Sequence, residues 1–98
     1  MHKQYFVYIE TNYTNTVLYT GVTNNLIKRN FQHMSGIGSG FTTKYKVSKL
    51  VYYEIHQDVM EAIKREKQIK NLVRRKKIVL ITSVNPYWKD LFTELVST

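Results

Sequence analysis

The chain has 98 residues, enough for one domain, which is read as spanning 1–98. Lysine and arginine number 15 against 7 acids, a net charge of +8, and 43% of the residues are hydrophobic, enough for one core. Cysteine is absent, which excludes disulfide staples and thiolate metal sites, and a composition of 4 glycines and 1 proline excludes a low-complexity linker.

In chain order, Met-His-Lys-Gln at the start lacks the apolar core of a signal peptide. Residues 5–10 (Tyr-Phe-Val-Tyr-Ile-Glu) are β-branched and aromatic and predict a strand. Residues 11–16 are turn formers, and 17–22 predict a second strand, so the pair reads as a hairpin with a loop longer than two residues. Thr23 or Asn24 is expected to cap a helix over about 24–34, carried by Leu26, Ile27, Asn30, Phe31 and Met34. Residues 35–48 hold three of the glycines and read as a loop. A third strand is predicted over 49–56, then a helix over about 59–71 capped by Asp58, then another over about 74–83. Within the latter, Ile78–Ile81 is the longest aliphatic run, far short of the roughly 18 residues of a membrane span. Asn85-Pro86 fits an N-cap followed by proline at the first helical position, ahead of a last apolar stripe of Trp88, Leu91, Phe92 and Leu95. The expected fold class is α/β in the α+β sense: a small, three-stranded, mainly antiparallel sheet flanked by helices.

The charge is concentrated. Lys64, Arg65, Lys67, Lys70, Arg74, Arg75, Lys76 and Lys77 place eight cations within 64–77, with Glu66 the one acid among them. A solvated helical face is the ordinary explanation of such a run. The dominance of one sign shifts the reading towards a phosphate-facing surface, with nucleic acid ahead of a membrane as the partner. Lys67, Lys70, Arg74, Arg75, Lys76 and Lys77 are therefore expected nucleic-acid contacts, joined by Lys28 and Lys44. The domain is expected to be cytoplasmic, without membrane attachment.

Three groups of residues suggest chemistry. Glu66 falls inside the apolar stripe of Val59, Ala62, Ile63, Ile69 and Val73. A carboxylate there is costly unless it is paired or binds a cation, so a buried ion pair and a metal-ligating or catalytic role both stand open. Arg29 and His33 are four apart and share one helical face, with Arg29 at the edge of the apolar stripe, where a guanidinium suits phosphate. Strand alternation places Phe6, Tyr8 and Glu10 on one face, and Val17, Tyr19 and Gly21 on one face, so two tyrosine hydroxyls can converge. Packed sheet tyrosines explain the same pattern. Gly21 ends a strand just before a helix, where a backbone turns or approaches something closely.

In this order, these residues resemble the GIY-YIG nuclease family. Phe6-Val7-Tyr8 is similar to its first signature and Tyr19-Thr20-Gly21 to its second. The segment from Gly21 to Arg29, followed by His33, resembles the helix with the family's essential arginine, and Glu61 to Lys70 resembles the helix with its metal-binding glutamate. The wording of Gly40-Phe-Thr-Thr-Lys-Tyr45, Glu66-Lys-Gln-Ile-Lys70 and Asn85-Pro-Tyr-Trp-Lys-Asp-Leu91 is similar to the small stand-alone bacterial members, which are excision-nuclease-C-like. Phe-Val replaces Gly-Ile in the first signature and Thr20 replaces isoleucine in the second, while the tyrosines and the glycine persist. For the family's C-terminal asparagine the candidate is Asn85, whose N-cap role is a sufficient structural explanation.

The resemblance implies a metal-dependent endonuclease that hydrolyses phosphodiester bonds in DNA, structure-selective and repair-related, located at the nucleoid and compatible with a homodimer. It implies one divalent cation, Mg²⁺ or Mn²⁺, on Glu66. It implies Arg29 on a non-bridging phosphate oxygen, Tyr8 or Tyr19 orienting or deprotonating the attacking water, and His33 assisting. A tyrosine of pKa ~10 is about 0.1% ionised at pH 7, a deficit of roughly 4 kcal/mol, so cationic groups need to be adjacent. A non-catalytic nucleic-acid-binding module on the same fold is the alternative, since a basic helix and tyrosines serve it equally well.

Overall fold

Alternating β-branched and aromatic residues build the centre of the molecule. A computed structural model describes residues 3–34, 40 and 44–96. Strand β1 (Tyr5–Thr11) pairs antiparallel with β2 (Leu18–Thr23), in a register running from Phe6 opposite Thr23 to Thr11 opposite Leu18. The loop between them is tied by one side chain: Asn12 Oδ1 accepts from the backbone N–H groups of Thr16 at 2.8 Å and Val17 at 3.0 Å. Strand β3 (Lys49–His56) pairs antiparallel with the other edge of β1, giving the order β2-β1-β3. The central strand is covered on both sides, so Val7 to Thr11 are all buried.

Between Ile9 and Glu10 the β1–β3 register shifts, because Ile9 faces Tyr52 but Glu10 faces Leu50. Val51 is the extra residue of this bulge, and its carbonyl accepts from Asn85 Nδ2 at 3.0 Å. The bulge also lets the consecutive residues Val51 and Tyr52 join the same core cluster.

Among the described residues, four helices flank the sheet: α1 (Leu26–Met34), α2 (Val59–Lys70), α3 (Arg74–Val84) and α4 (Leu91–Val96). Ala62 and Ile69 of α2 and Ile81 of α3 pack with Val7, Ile9, Val51 and Tyr52 on one face. On the other face Tyr8 and Leu50 pack with Leu26 of α1 and with Leu91, Phe92 and Leu95 of α4. Asp58 caps α2 as expected, accepting from Glu61 N at 3.1 Å. The start of α1 differs: Asn25, not Thr23 or Asn24, accepts from Lys28 N at 3.0 Å, while Thr23 Oγ1 supports Asn25 N at 3.2 Å. Asn85 is also not an N-cap. It ends α3, with its N–H bonded to Ile81 O at 2.8 Å, and α4 starts beyond it at Leu91. The helix-starting oxygen there is Asp90 Oδ1, which accepts from Phe92 N at 3.1 Å. Pro86 therefore follows a helix end, where it cannot prolong the helix. The expected loop over 35–48 falls largely outside the described residues, but Gly40 and Lys44 within it have helical backbone. No helix among the described residues is long and apolar enough to cross a membrane.

Candidate active site

Tyr8 and Gly21 lie directly opposite each other on adjacent strands, and Tyr19 lies opposite Glu10. The pleat therefore puts Tyr8, Glu10, Tyr19 and Gly21 on one face. The Tyr8 and Tyr19 rings meet edge to face, with centroids 6.3 Å apart at 62°. Gly21 makes this possible: a Cβ built there would stand 2.6 Å from Tyr8 Cζ and 3.0 Å from Cε1, with the hydroxyl oxygen closer still. The Tyr8 ring lies across the β2 backbone in the space that a side chain would fill.

Tyr8 is fully enclosed, and its hydroxyl has no contact with bulk solvent. Tyr19 is only half-buried. Burial pushes the Tyr8 phenol well above its ordinary range, the nearby Glu10 carboxylate adds to that rise, and the Arg29 guanidinium opposes it. Tyr19 and Glu66 also raise it, so the charges of strand, α1 and α2 all converge on this one hydroxyl. At neutral pH Tyr8 is a protonated phenol that can donate a hydrogen bond.

Glu66 is buried on the α2 stripe between Ala62 and Ile69, as its spacing predicts. That stripe packs on the Val7–Ile9 face, whereas Tyr8 belongs to the opposite face. Tyr8 is covered on that face, but Tyr19 lines a groove with Lys70, the partner of Glu66, and Glu66 acts on Tyr8 through space. One Glu66 oxygen holds Lys70 Nζ at 2.7 Å, and this i,i+4 partner is itself half-exposed. Lys70 is held protonated above its usual range by that carboxylate.

Arg29 is half-buried on α1. His33 lies one turn further along the same helix, and its side chain is outside the described residues. Among the described residues no group of three or more histidines, cysteines or acids could hold a metal ion. Glu66 thus offers a single carboxylate. Such a site fits a hard cation such as Mg²⁺ that keeps its waters and shares the substrate's phosphate oxygens, and does not fit a metal that needs a protein cage.

The expected nucleic-acid contacts divide. Lys70 and Lys77 line a shallow groove of about 220 Å³ with Tyr19, Leu18 and Thr20, beside the tyrosines. Lys67, Arg74, Arg75 and Lys76 are exposed on α2 and α3. The first turn of α3 is Arg-Arg-Lys-Lys and has no acid. Cations at a helix N-terminus oppose the helix dipole, so this turn adds to a positive surface instead of stabilising its helix. Lys28 is exposed on α1, and Lys44 lies apart from this groove, 5.4 Å over the Tyr45 ring.

Sequence reasoning missed Glu10 as a site residue, although strand alternation already set it beside Tyr8. It also missed a cluster on β3 and α2, where Arg65 holds Glu54 through Nε at 3.0 and 3.1 Å and through Nη2 at 2.9 Å. The Tyr52 hydroxyl and His56 Nε2 also bond Glu54. Tyr52, Glu54 and His56 share one strand face by alternation, but Arg65 joins them only through the packing of α2.

Comparison with known proteins shows the family and the fold. The model of the GIY-YIG catalytic domain matches residues 4–78. A UPF0213 protein of Clostridium perfringens is 47% identical over 66 residues, covering 67% of this chain and 71% of that protein. A UPF0213 protein of Staphylococcus saprophyticus is 40% identical over 65 residues, covering 66% of this chain and 79% of its own. The solution NMR structure of the UPF0213 protein BH0048 from Bacillus halodurans has the same fold, with a TM-score of 0.57, 29% identity, and coverage of 97% and 98% of the two chains. The matched segment runs from β1 to the first turns of α3 and contains Tyr8, Tyr19, Gly21, Arg29 and Glu66: the chain belongs to the GIY-YIG catalytic domain family.

Proposed function

We propose that the protein is an endonuclease that hydrolyses phosphodiester bonds in DNA with one divalent cation, Mg²⁺ or Mn²⁺. The observation that carries this reading is the convergence of Arg29, Glu66, Tyr19 and Glu10 on the Tyr8 hydroxyl opposite Gly21. Arg29 binds a non-bridging phosphate oxygen and offsets charge as the phosphorus gains a fifth oxygen. Tyr19, the more accessible phenol, faces the attacking water; it first releases its own proton to solvent and, as the phenolate, takes the proton of the water. Tyr8 stays neutral and fixes the Tyr19 ring through their edge contact, which makes it a positioning residue. His33 lies one turn from Arg29 and assists at the water. Lys70 and Lys77 hold the neighbouring phosphates in the groove beside Tyr19.

Glu66 would hold the cation, which when bound supplies Lewis-acid stabilisation of the phosphorane and of the leaving 3′ oxygen. Lys70, whose side chain is half-exposed, turns out to solvent when the cation takes its place on Glu66. Structure-selective cleavage in repair, at the nucleoid, is the biological setting of this proposal.

Glu66→Gln tests the reading. Mn²⁺ affinity and cleavage of nicked, branched or duplex DNA are expected to collapse, while DNA binding persists and melting stays near normal. One observation favours a second reading, a binding module without catalysis: Glu66 is already paired with Lys70. Undetectable Mn²⁺ binding and no cleavage by the wild type, with salt-sensitive DNA binding intact, would select that module.

A further inference from the structure

A second cleft, of about 540 Å³, opens at the far end of the hairpin, where the β1–β2 loop meets the residues leading into β3 and α4. It contains none of the groups assigned above. Tyr13 and Tyr45 line it, and both are exposed, at 91% and 41%. Tyr13 is displayed on a loop that is already rigid, since Asn12 bonds two backbone N–H groups there and also the hydroxyls of Thr14 and Thr16. A ligand stacking on Tyr13 therefore orders little that is not ordered beforehand.

The cleft is also cationic. Lys46 and Lys49 line it, and Lys44 approaches from the Tyr45 ring, 5.4 Å from its centroid. Among the described residues Asp90 is the one acid on its wall, and its Oδ1 is engaged by the N–H groups of Leu50 and Phe92, each at 3.1 Å. Aromatic faces flanked by lysines recognise a nucleobase and its phosphate. Base pairing would hide the base from such rings, so the matching ligand is an unpaired nucleotide. The strand from Tyr8 to Asn12 spans about 13 Å at ~3.3 Å per residue. That is about four nucleotides at ~3.4 Å per nucleotide along a stacked strand.

We infer that this cleft binds an unpaired nucleotide of the substrate strand, about four nucleotides from the bond to be cut. Its base stacks on Tyr13 and Tyr45, and its phosphate lies on Lys46 and Lys49. The inference rests on the nuclease reading for its substrate, and it makes the protein selective for DNA with a single-stranded segment beside the cleavage point.

Fluorescence anisotropy of the full chain in EDTA tests it, with labelled oligothymidylate and a blunt duplex as probes. Tyr13→Ala and Tyr45→Ala should each weaken binding of the single strand by about fivefold or more, and that of the duplex by less than about twofold. Tyr13→Phe should bind as the wild type. Both side chains are exposed, so circular dichroism should show an unchanged fold. Unchanged single-strand affinity in both alanine variants, equal losses on both probes, or no single-strand binding by the wild type would overturn the inference. Cleavage is scored separately with Mn²⁺. If the wild type cuts nothing while the variants lose single-strand affinity selectively, hydrolysis falls and the cleft assignment stands. If the wild type cuts and the variants bind normally, the assignment falls alone.

Discussion

Gly21 decides whether Tyr8 can occupy its place. Any Cβ there would displace the Tyr8 ring, and the ring is walled in by Leu26, Leu50 and their neighbours. Gly21→Ala should therefore cost about 1–3 kcal/mol, read as a lower urea midpoint at unchanged m-value. It should also reduce cleavage, because the ring that orients Tyr19 moves. The two tyrosines themselves should differ. Tyr19→Phe removes the accessible hydroxyl and should lower the cleavage rate by about 100-fold or more. Tyr8→Phe keeps the edge contact and should cost less in rate, while leaving the fold intact. Single-turnover rates at saturating protein separate them. If both variants cut at the wild-type rate, no phenol acts on the water.

At the scale of elements, the Glu54–Arg65 pair fixes helix α2, and with it Glu66, against β3. Burial alone would raise the Glu54 carboxyl, but the hydrogen bonds from Arg65, Tyr52 and His56 outweigh it and hold the carboxyl below its ordinary value of 4.5. A carboxyl depressed in the folded state stabilises above its unfolded pKa and loses that contribution as pH falls through the folded pKa. The melting temperature should therefore decline as pH falls from about 5 to 3, and Glu54→Gln should flatten that decline. The Tyr52 phenol is pushed up to about 12, first by burial and then by Glu54. Its contribution has the opposite sense: it is full below pH ~10 and lost as pH rises from there through about 12. Melting curves across both pH windows check the two signs in one series.

At the scale of the whole molecule, a net charge of +8 on a small domain gives binding that depends on salt. Arg74, Arg75, Lys76 and Lys77 form one turn of α3, and Lys77 opens onto the groove beside Tyr19. Replacing all four by alanine should flatten the plot of log K against log salt by about 0.9 for each duplex phosphate that is no longer neutralised. An unchanged slope in the anisotropy titration would place the main binding surface on another face. The same substitutions should leave the fold intact, because Arg74, Arg75 and Lys76 are exposed and four cations at a helix start do not favour that helix.

Periodicity by itself determined the three strands, the hairpin, the limits of β3 and the Asp58 cap, because each depends on residues within a few positions of one another. It also marked Glu66, since a carboxylate on an apolar stripe breaks the 3.6-residue pattern whatever it packs against. The GIY-YIG resemblance rested on tyrosines and a glycine whose spacing the strand register preserves. Tertiary structure alone decided that Tyr8 is sealed and Tyr19 open, because burial depends on α1 and α4 arriving from distant parts of the chain. It turned Asn85 from the expected N-cap into the end of α3, since the Val51 bulge offers a carbonyl 34 positions away that no local pattern announces. It joined Arg65 to Glu54 for the same reason: the hydrogen bond spans 11 positions and forms only when α2 docks on β3. Short-range order is written in periodicity, whereas the contacts that close a site form between segments whose separation in sequence carries no repeat.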